Sequence, residues 1–232
     1  MTKDHMAVFV IVPVKMLDDA KSRLSSLLAG DERKQFCLKM LEDVLRTLKS
    51  TKQPHETVVV SKDPIMSKIA KNFDAEYLKE RKTGLNKTVS EAVDWCVERG
   101  AASVLVLPAD IPLVVPTDLN RMFTLGEKAS MVISPSRDEK GTNALLLTPP
   151  KVTPTFYGRH SFQRHIKEAS KLKIGFRTYR SPRIALDIDT VEDLTYLISL
   201  KPNETSSYKA LEKIGVPIKL EKILIDQSSR SR

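Results

Sequence analysis

Three carboxylates and three cations carry most of the chemical information in this 232-residue chain. Asp110 stands in Val104-Leu105-Val106-Leu107-Pro108-Ala109-Asp110-Ile111-Pro112-Leu113, where an apolar run that reads as a buried strand ends on one acid between two prolines. Each proline fixes its own φ and keeps the preceding residue out of the helical region, so Asp110 is held at the strand's exit. Such exits are where ligands bind in open parallel sheets. Taken alone, Asp110 reads equally well as a cap for the next turn. Asp187 and Asp189 close another short apolar run, Ile184 to Thr190, and being two apart they face one side if the chain is extended. Singly, Asp189 can cap the helix that follows and Asp187 can be a surface acid.

The loop after the first strand, Pro13 to Leu24, places Lys15, Lys21 and Arg23 within nine residues. A lysine offers a point charge to a phosphate oxygen and an arginine can hold two oxygens at once, although any lone cation here also reads as solvated surface. Carboxylates beside such a loop suit Mg²⁺, which takes oxygen ligands, usually one or two from the protein, and leaves the rest to phosphates and water. Gly141-Thr142-Asn143-Ala144 and Tyr157-Gly158-Arg159-His160-Ser161 are two further turns with polar groups, the second at a helix start where free N–H groups favour an anion. Ordinary turn chemistry explains them as well. His160 and His165 read as surface residues of a basic helix, because no third metal ligand falls at a useful spacing. The chain has no Walker glycine–lysine pattern and no Ser-His-Asp or Cys-His arrangement.

Short β-branched runs alternate with amphipathic segments, which predicts α/β architecture: one three-layer α/β/α domain on a mixed, mainly parallel sheet. Strands are expected at Val8–Val14, Thr57–Val60, Ala75–Leu78, Val104–Leu107, Met131–Ser134 and Ala144–Leu147, with weak alternation over Lys173–Tyr179. Helices are expected at Asp31–Leu48, after Asp63-Pro64, from Gly84-Leu85-Asn86 to a C-cap at Gly100, over His160–Ser170, and at Val191–Leu200 with Asp189 or Thr190 as N-cap. The domain is expected to span 1–200. Residues 201–232 read as an amphipathic extension, about Glu204 to Ile225, with a polar tail, packed on the same domain or on a partner copy; a homodimer is expected.

The chain carries 41% hydrophobic and 29% charged residues, ordinary for one globular domain. Its formal charge of +9 suggests an anionic partner, and Arg159 to Arg183 sets eight lysines and arginines against Glu168 alone. Nucleic acid is disfavoured, since there is no arginine-rich arm, zinc-finger spacing or aromatic RNA-binding pattern. Small phosphorylated ligands account for the charge equally well. No apolar run approaches the roughly 20 residues of a membrane span. With Cys37 and Cys96 in helix-like patterns, buried thiols and a cytoplasmic location are expected.

Four phrases together resemble the 2-phospho-L-lactate guanylyltransferase family, over about Val8 to Leu200. They are Val12-Pro13-Val14-Lys15 with Ala20-Lys21-Ser22-Arg23-Leu24, Pro108-Ala109-Asp110-Ile111-Pro112-Leu113, Gly141-Thr142-Asn143-Ala144-Leu145 and Leu186-Asp187-Ile188-Asp189-Thr190. The resemblance implies a Rossmann-like nucleotide-diphospho-sugar transferase fold. It also implies GMP transfer from GTP to the phosphate of 2-phospholactate or phosphoenolpyruvate, with release of pyrophosphate, in the making of the deazaflavin coenzyme F-420. It implies that Lys15, Lys21 and Arg23 serve the triphosphate, Lys21, Arg23 and Asp110 in catalytic roles. Gly84 and Asn86 would lie near the nucleoside, Asp110, Asp187 and Asp189 would manage Mg²⁺, and Thr142, Gly158 and Ser161 would hold the three-carbon acid. One departure stands out, because Pro13-Val14-Lys15 replaces the glycine-rich opening of the wider fold. Another phosphorylated acceptor is an alternative, and so is a non-catalytic nucleotide or nucleic-acid binding module.

Overall fold

The strand β1 (Val8–Pro13) is apolar at every position from Val8 to Val12, so both of its faces need cover and it belongs inside a sheet. The computed structural model, which describes residues 7–53 and 55–221, places it there. Parallel neighbours flank β1, β2 (Glu56–Ser61) on one side and β4 (Ser103–Val106) on the other, and β3 (Glu76–Lys79) pairs parallel to β2. Beyond β4 comes β6 (Thr142–Leu147), antiparallel both to it and to β5 (Met131–Pro135), and β7 (Phe176–Thr178) closes the edge parallel to β5. The order is β3-β2-β1-β4-β6-β5-β7.

Alternation along β1 sorts its side chains to two layers. Val8, Val10 and Val12 pack in one core with α1 (Gly30–Lys49), α2 (Ile65–Asn72), α4 (Pro116–Gly126), α7 (Val191–Leu200) and α8 (Ser206–Lys213). Phe9 and Ile11 pack in a second core with α3 (Leu85–Glu98) and α5 (Ser161–Lys171). The expected α/β/α arrangement on a mixed, mainly parallel sheet is what forms. Cys37 and Cys96 are buried free thiols, and Gly100 follows α3 at a φ of 84°. No described helix is long and apolar enough to cross a membrane.

Two departures from the sequence reading matter. The helix α4 was not expected, although Pro116 in its first turn, Asp118 receiving the N–H of Val115, and Leu119, Met122 and Phe123 on one face are ordinary helix signals. Residues Ile184 to Asp189 do not form a strand. The short helix α6 (Pro182–Ala185) precedes an irregular stretch, so Asp187 and Asp189 are not placed by sheet alternation.

Side-chain ties fix these segments. Asp118, fully buried, accepts from Arg183 Nε and Nη2 (2.7 and 2.8 Å), Tyr179 Oη (2.9 Å) and Ser181 Oγ (2.9 Å), stapling the chain after β7 to α4. Asp43 on α1 accepts from the N–H groups of Ser206 and Ser207 (2.7 and 2.8 Å), which caps α8 and docks it on its own chain. Residues 222–232 of the expected tail lie outside the described residues.

Burial opposes ionisation of Asp118, but the hydrogen bonds from Arg183, Tyr179 and Ser181 outweigh it and hold its carboxyl below the usual range. Protonation therefore costs the folded state more than the unfolded one. The staple's contribution is present above about pH 4 and is lost as pH falls below it. Asp118→Asn should destabilise the fold by about 3 kcal/mol, the low end for a buried pair because Arg183 is partly exposed. Urea midpoints between pH 6 and pH 2 check both points. An unchanged midpoint, or an acid limb as steep in the variant as in the wild type, contradicts the assignment.

Candidate active site

The chain runs outward from β1 to β2 and β3, then returns to the other side of β1 as β4. Two neighbouring parallel strands with connections leaving in opposite directions make a switch point, and their carboxyl ends open a crevice. Leu107 N–H reaches Ile11 O (2.9 Å), so the segment carrying Asp110 starts in register beside β1. The loop after β1 is pinned by the buried residues Leu17, Leu24, Leu27 and Leu28 and makes two 3₁₀ turns, Leu17–Asp19 and Ser22–Leu24.

Lys21 sits between those turns at a φ of 53°, a left-handed conformation that costs a non-glycine residue about 1–2 kcal/mol. Its carbonyl accepts from Leu24 N–H (2.9 Å), and its side chain, 8% exposed, turns inward. Nζ donates to Asp110 Oδ2 at 2.7 Å and to Asp189 Oδ1 at 2.6 Å. Burial works against this ammonium, but attraction and hydrogen bonds from the two carboxylates outweigh it and raise its pKa above the usual lysine value. Burial likewise opposes the charge on Asp189, and Lys21, with Lys15 and Arg23 farther off, holds its carboxyl below the usual range.

Backbone and amide bonds complete the convergence. Ile188 N–H donates to Asp110 O (3.0 Å), joining the irregular acidic segment to the turn after β4. Asn143 on β6, itself buried, donates from Nδ2 to Asp187 Oδ1 (3.0 Å) and to the carbonyls of Ile184 and Ala185 (2.9 and 3.2 Å). Thr190, not Asp189, caps α7: its hydroxyl accepts from Asp193 N–H (3.2 Å), leaving the Asp189 carboxylate to Lys21. Burial and the neighbouring charge of Asp110 push Asp187 up to about 6. The sequence marks Asn143 only by its place in Gly-Thr-Asn-Ala beside a strand start, which carries no indication of this role.

The carboxylates suit a hard cation. Their donors are oxygens only, and Asp187, raised first by burial and then by the charge of Asp110, stands beside another acid. Among the described residues, however, no three acidic, histidine or cysteine side chains stand close enough to hold a metal ion as they are, and Lys21 bridges two of the acids.

The other expected residues form a second cluster. Ser161 Oγ donates to Thr142 Oγ1 (3.1 Å), both side chains are buried, and Gly158 makes the turn before them at a φ of 113°. His165 lies inside this cluster and not on the surface, because the apolar stripe of α5 turns it inward. Its Nε2 accepts from Phe156 N–H (2.9 Å), so Nδ1 carries the proton and bonds Thr142 Oγ1 at 3.2 Å. Burial lowers its pKa to about 4, which keeps the ring neutral. Gly84, at a φ of 99°, enters α3 beside an open cavity of about 690 Å³ lined by Lys82, Thr83, Asn86, Lys87 and Ser90. The amide of Asn86 is turned toward Tyr157. Lys15 and Arg23 are exposed on the rim.

The fold is the nucleotide-diphospho-sugar transferase fold of its nucleotidyltransferase neighbours among solved structures. A solved structure from Desulfovibrio desulfuricans G20, provisionally assigned to the nucleotide-diphospho-sugar transferases, superposes with a TM-score of 0.74 at 16% identity, covering 89% of this chain and 94% of that one. A cytidylyltransferase from Leptospira borgpetersenii matches with a TM-score of 0.58 at 22% identity, over 94% and 97%. The chain belongs to the family described as "Guanylyl transferase CofC like", whose model matches residues 8–230. Among its relatives, the phosphoenolpyruvate guanylyltransferase of Rubrobacter xylanophilus is 38% identical over 193 residues, 83% of this chain and 94% of that protein. The 2-phospho-L-lactate guanylyltransferase of Methanocaldococcus jannaschii is 33% identical over 210 residues, 90% of each.

Replacing Lys21 by Met keeps most of the stem and removes the charge between Asp110 and Asp189. Thermal stability in metal-free buffer should fall, and any nucleotidyl transfer should fall about 10²-fold, as when a main electrostatic contributor is lost. A variant as stable and as active as the wild type would show that the bridge is incidental.

Proposed function

We propose that this protein transfers GMP from GTP to the phosphate of a three-carbon 2-phospho acid, phosphoenolpyruvate or 2-phospho-L-lactate, with release of pyrophosphate. The product then serves coenzyme F-420 biosynthesis. The observation that carries this reading is the convergence of Lys21, Asp110 and Asp189 at the switch point of a guanylyltransferase-family fold. Guanine as the base and a 2-phospho acid as the acceptor rest on the names of the relatives.

The chemistry asks little of a side-chain base. An acceptor phosphate oxygen is already ionised at neutral pH, so it can attack the α-phosphorus of GTP directly. The new oxygen–phosphorus bond forms as the bond to the β-phosphate oxygen breaks, and pyrophosphate leaves with that electron pair. Positioning and charge cancellation then supply the acceleration, which fits a site without an activated nucleophile. Lys15 and Arg23 on the rim would bind triphosphate oxygens, and Lys21 would offset charge on the leaving pyrophosphate. Asp110, Asp187 and Asp189 would hold Mg²⁺ after drawing closer than they stand with Lys21 between two of them, and the ion would supply neutralising charge for phosphate oxygens. Thr142, Gly158 and Ser161 would frame the acceptor's carboxylate and phosphate, with Thr142 and Ser161 acting from within their hydrogen-bonded cluster. A neutral His165 fits beside an anionic ligand only as a support, since it brings no charge.

Pyrophosphate release should be fastest with GTP among GTP, ATP, CTP and UTP, and should require phosphoenolpyruvate or 2-phospho-L-lactate. Chelation with EDTA should abolish it and Mg²⁺ restore it. Equal rates with all four nucleotides, or release independent of either acid, would sink this function. Asp110→Asn should lose about 10²-fold or more in turnover while still folding, with a lowered midpoint because the buried Lys21 loses the charge of one of its two carboxylates.

A further inference from the structure

Asn86 uses its side-chain amide on the backbone of one distant residue. Nδ2 donates to Tyr157 O at 2.9 Å, and Oδ1 accepts from Tyr157 N–H at 2.6 Å. The pair imitates two rungs of a β-ladder between chain segments 71 residues apart. On one side of it stands the first turn of α3, where Asn86 helps line the cavity shared by Lys82, Thr83, Lys87 and Ser90. On the other side stands the turn Tyr157–Ser161, which leads into the Thr142–Ser161–His165 cluster.

That turn has few other anchors. Phe156 N–H is held by His165 Nε2 (2.9 Å), and the Tyr157 ring packs edge-on to the His165 ring, with centroids 5.5 Å apart. Gly158 follows at once with a φ of 113° and open space around its α-carbon, and His160 is left-handed at 57°. The far end of the turn is held by Ser161 N–H to Gly158 O (3.1 Å), Ser161 Oγ to Thr142 Oγ1 (3.1 Å) and Phe162 N–H to Lys140 O (3.2 Å), which leaves its near end to be set at Tyr157. Asn86 fixes both polar groups of that residue.

We propose that Asn86 is a positioning residue that ties the acceptor-side turn to the nucleotide-side helix, and that its amide serves the acceptor and not the nucleoside. Its two backbone bonds direct both amide atoms to Tyr157, whereas nucleoside recognition would need them turned into the cavity. The two substrates then meet across a frame of fixed width, set by one side chain. This assignment rests on the GMP-transfer reading for the places of acceptor and nucleotide; the Asn86–Tyr157 tie itself does not.

Asn86→Ala and Asn86→Asp test it; the aspartate keeps the acceptor for Tyr157 N–H and sets a carboxylate against Tyr157 O. In both variants the KM for the acceptor should rise about tenfold or more, as expected for losing one or two hydrogen bonds, while the KM for GTP moves less than about threefold. A rise in the GTP KM with the acceptor KM unchanged would make Asn86 a nucleoside contact and overturn the proposal. A lowered folding midpoint with both KM values unchanged would make it a plain structural tie and overturn it equally. Amide hydrogen exchange reads the tie without turnover: protection of the Tyr157 amide, and of the bonded Phe156 and Ser161 amides beside it, should drop about tenfold in Asn86→Ala while the amides of α3 beyond the first turn keep theirs. Unchanged protection refutes the tie. Failure of the functional reading shows separately, as wild-type protein that releases no pyrophosphate from GTP.

Discussion

Carboxylates gathered at the mouth of a sheet repel one another, and something positive must stand among them before the fold can close. Lys21 supplies that charge. Taking an ammonium out of water costs several kcal/mol, and only close, hydrogen-bonded opposite charges can return it. Contacts of 2.7 and 2.6 Å to two acids, with the lysine 8% exposed, meet that condition. The left-handed backbone at residue 21 is strain of the kind that persists where surroundings over-determine it. Here four buried leucines on the same loop and two ion pairs do so.

What delivers Asp187 and Asp189 to this charge is hydrogen bonding outside the sheet, most of it from polar side chains, with Leu186 and Ile188 buried in the core beside them. The stretch after α6 has no strand partner, so three separate ties replace the ladder. Asp118 grips Arg183, Tyr179 and Ser181, Asn143 holds the carbonyls of Ile184 and Ala185 together with Asp187, and Asp110 O accepts from Ile188 N–H. Rigid elements thus lie on both sides of a short irregular segment, a usual way to aim functional groups.

What could be seen in the sequence follows from the same physics. Continuous apolar runs such as Val8–Val12 and Val104–Leu107 announce buried parallel strands, because no polar alternation is tolerated there. Asp110 was visible because two prolines mark it, and the cationic loop because three charges crowd one strand exit. Periodicity carries no information about partners far apart in the chain. It therefore could not show that Asp118 meets Arg183, that Asn86 meets Tyr157, or that His165 lies inside rather than on a basic helix. The acidic pair was expected on a strand because Ile184-Ala185-Leu186 is apolar. Ser181-Pro182 instead starts a turn of helix, with the Ser181 side chain accepting the N–H groups of Arg183 and Ile184.

In the proposed transfer the lysine that holds the site together would also act on a substrate, and its valence allows both. An ammonium has three N–H donors, and the carboxylates of Asp110 and Asp189 account for two. One donor remains for a phosphate oxygen without breaking either ion pair. The arrangement also sets an order of charges. Lys21 bridges Asp110 and Asp189, Lys15 and Arg23 add to the field at Asp189, and burial together with the charge of Asp110 pushes the Asp187 carboxyl up to about 6. In the proposed transfer, a cation brought in with the nucleotide would meet Asp187 as the one of the three acids that Lys21 does not bridge. The cationic bridge and the unneutralised acid are two halves of the same electrostatic constraint.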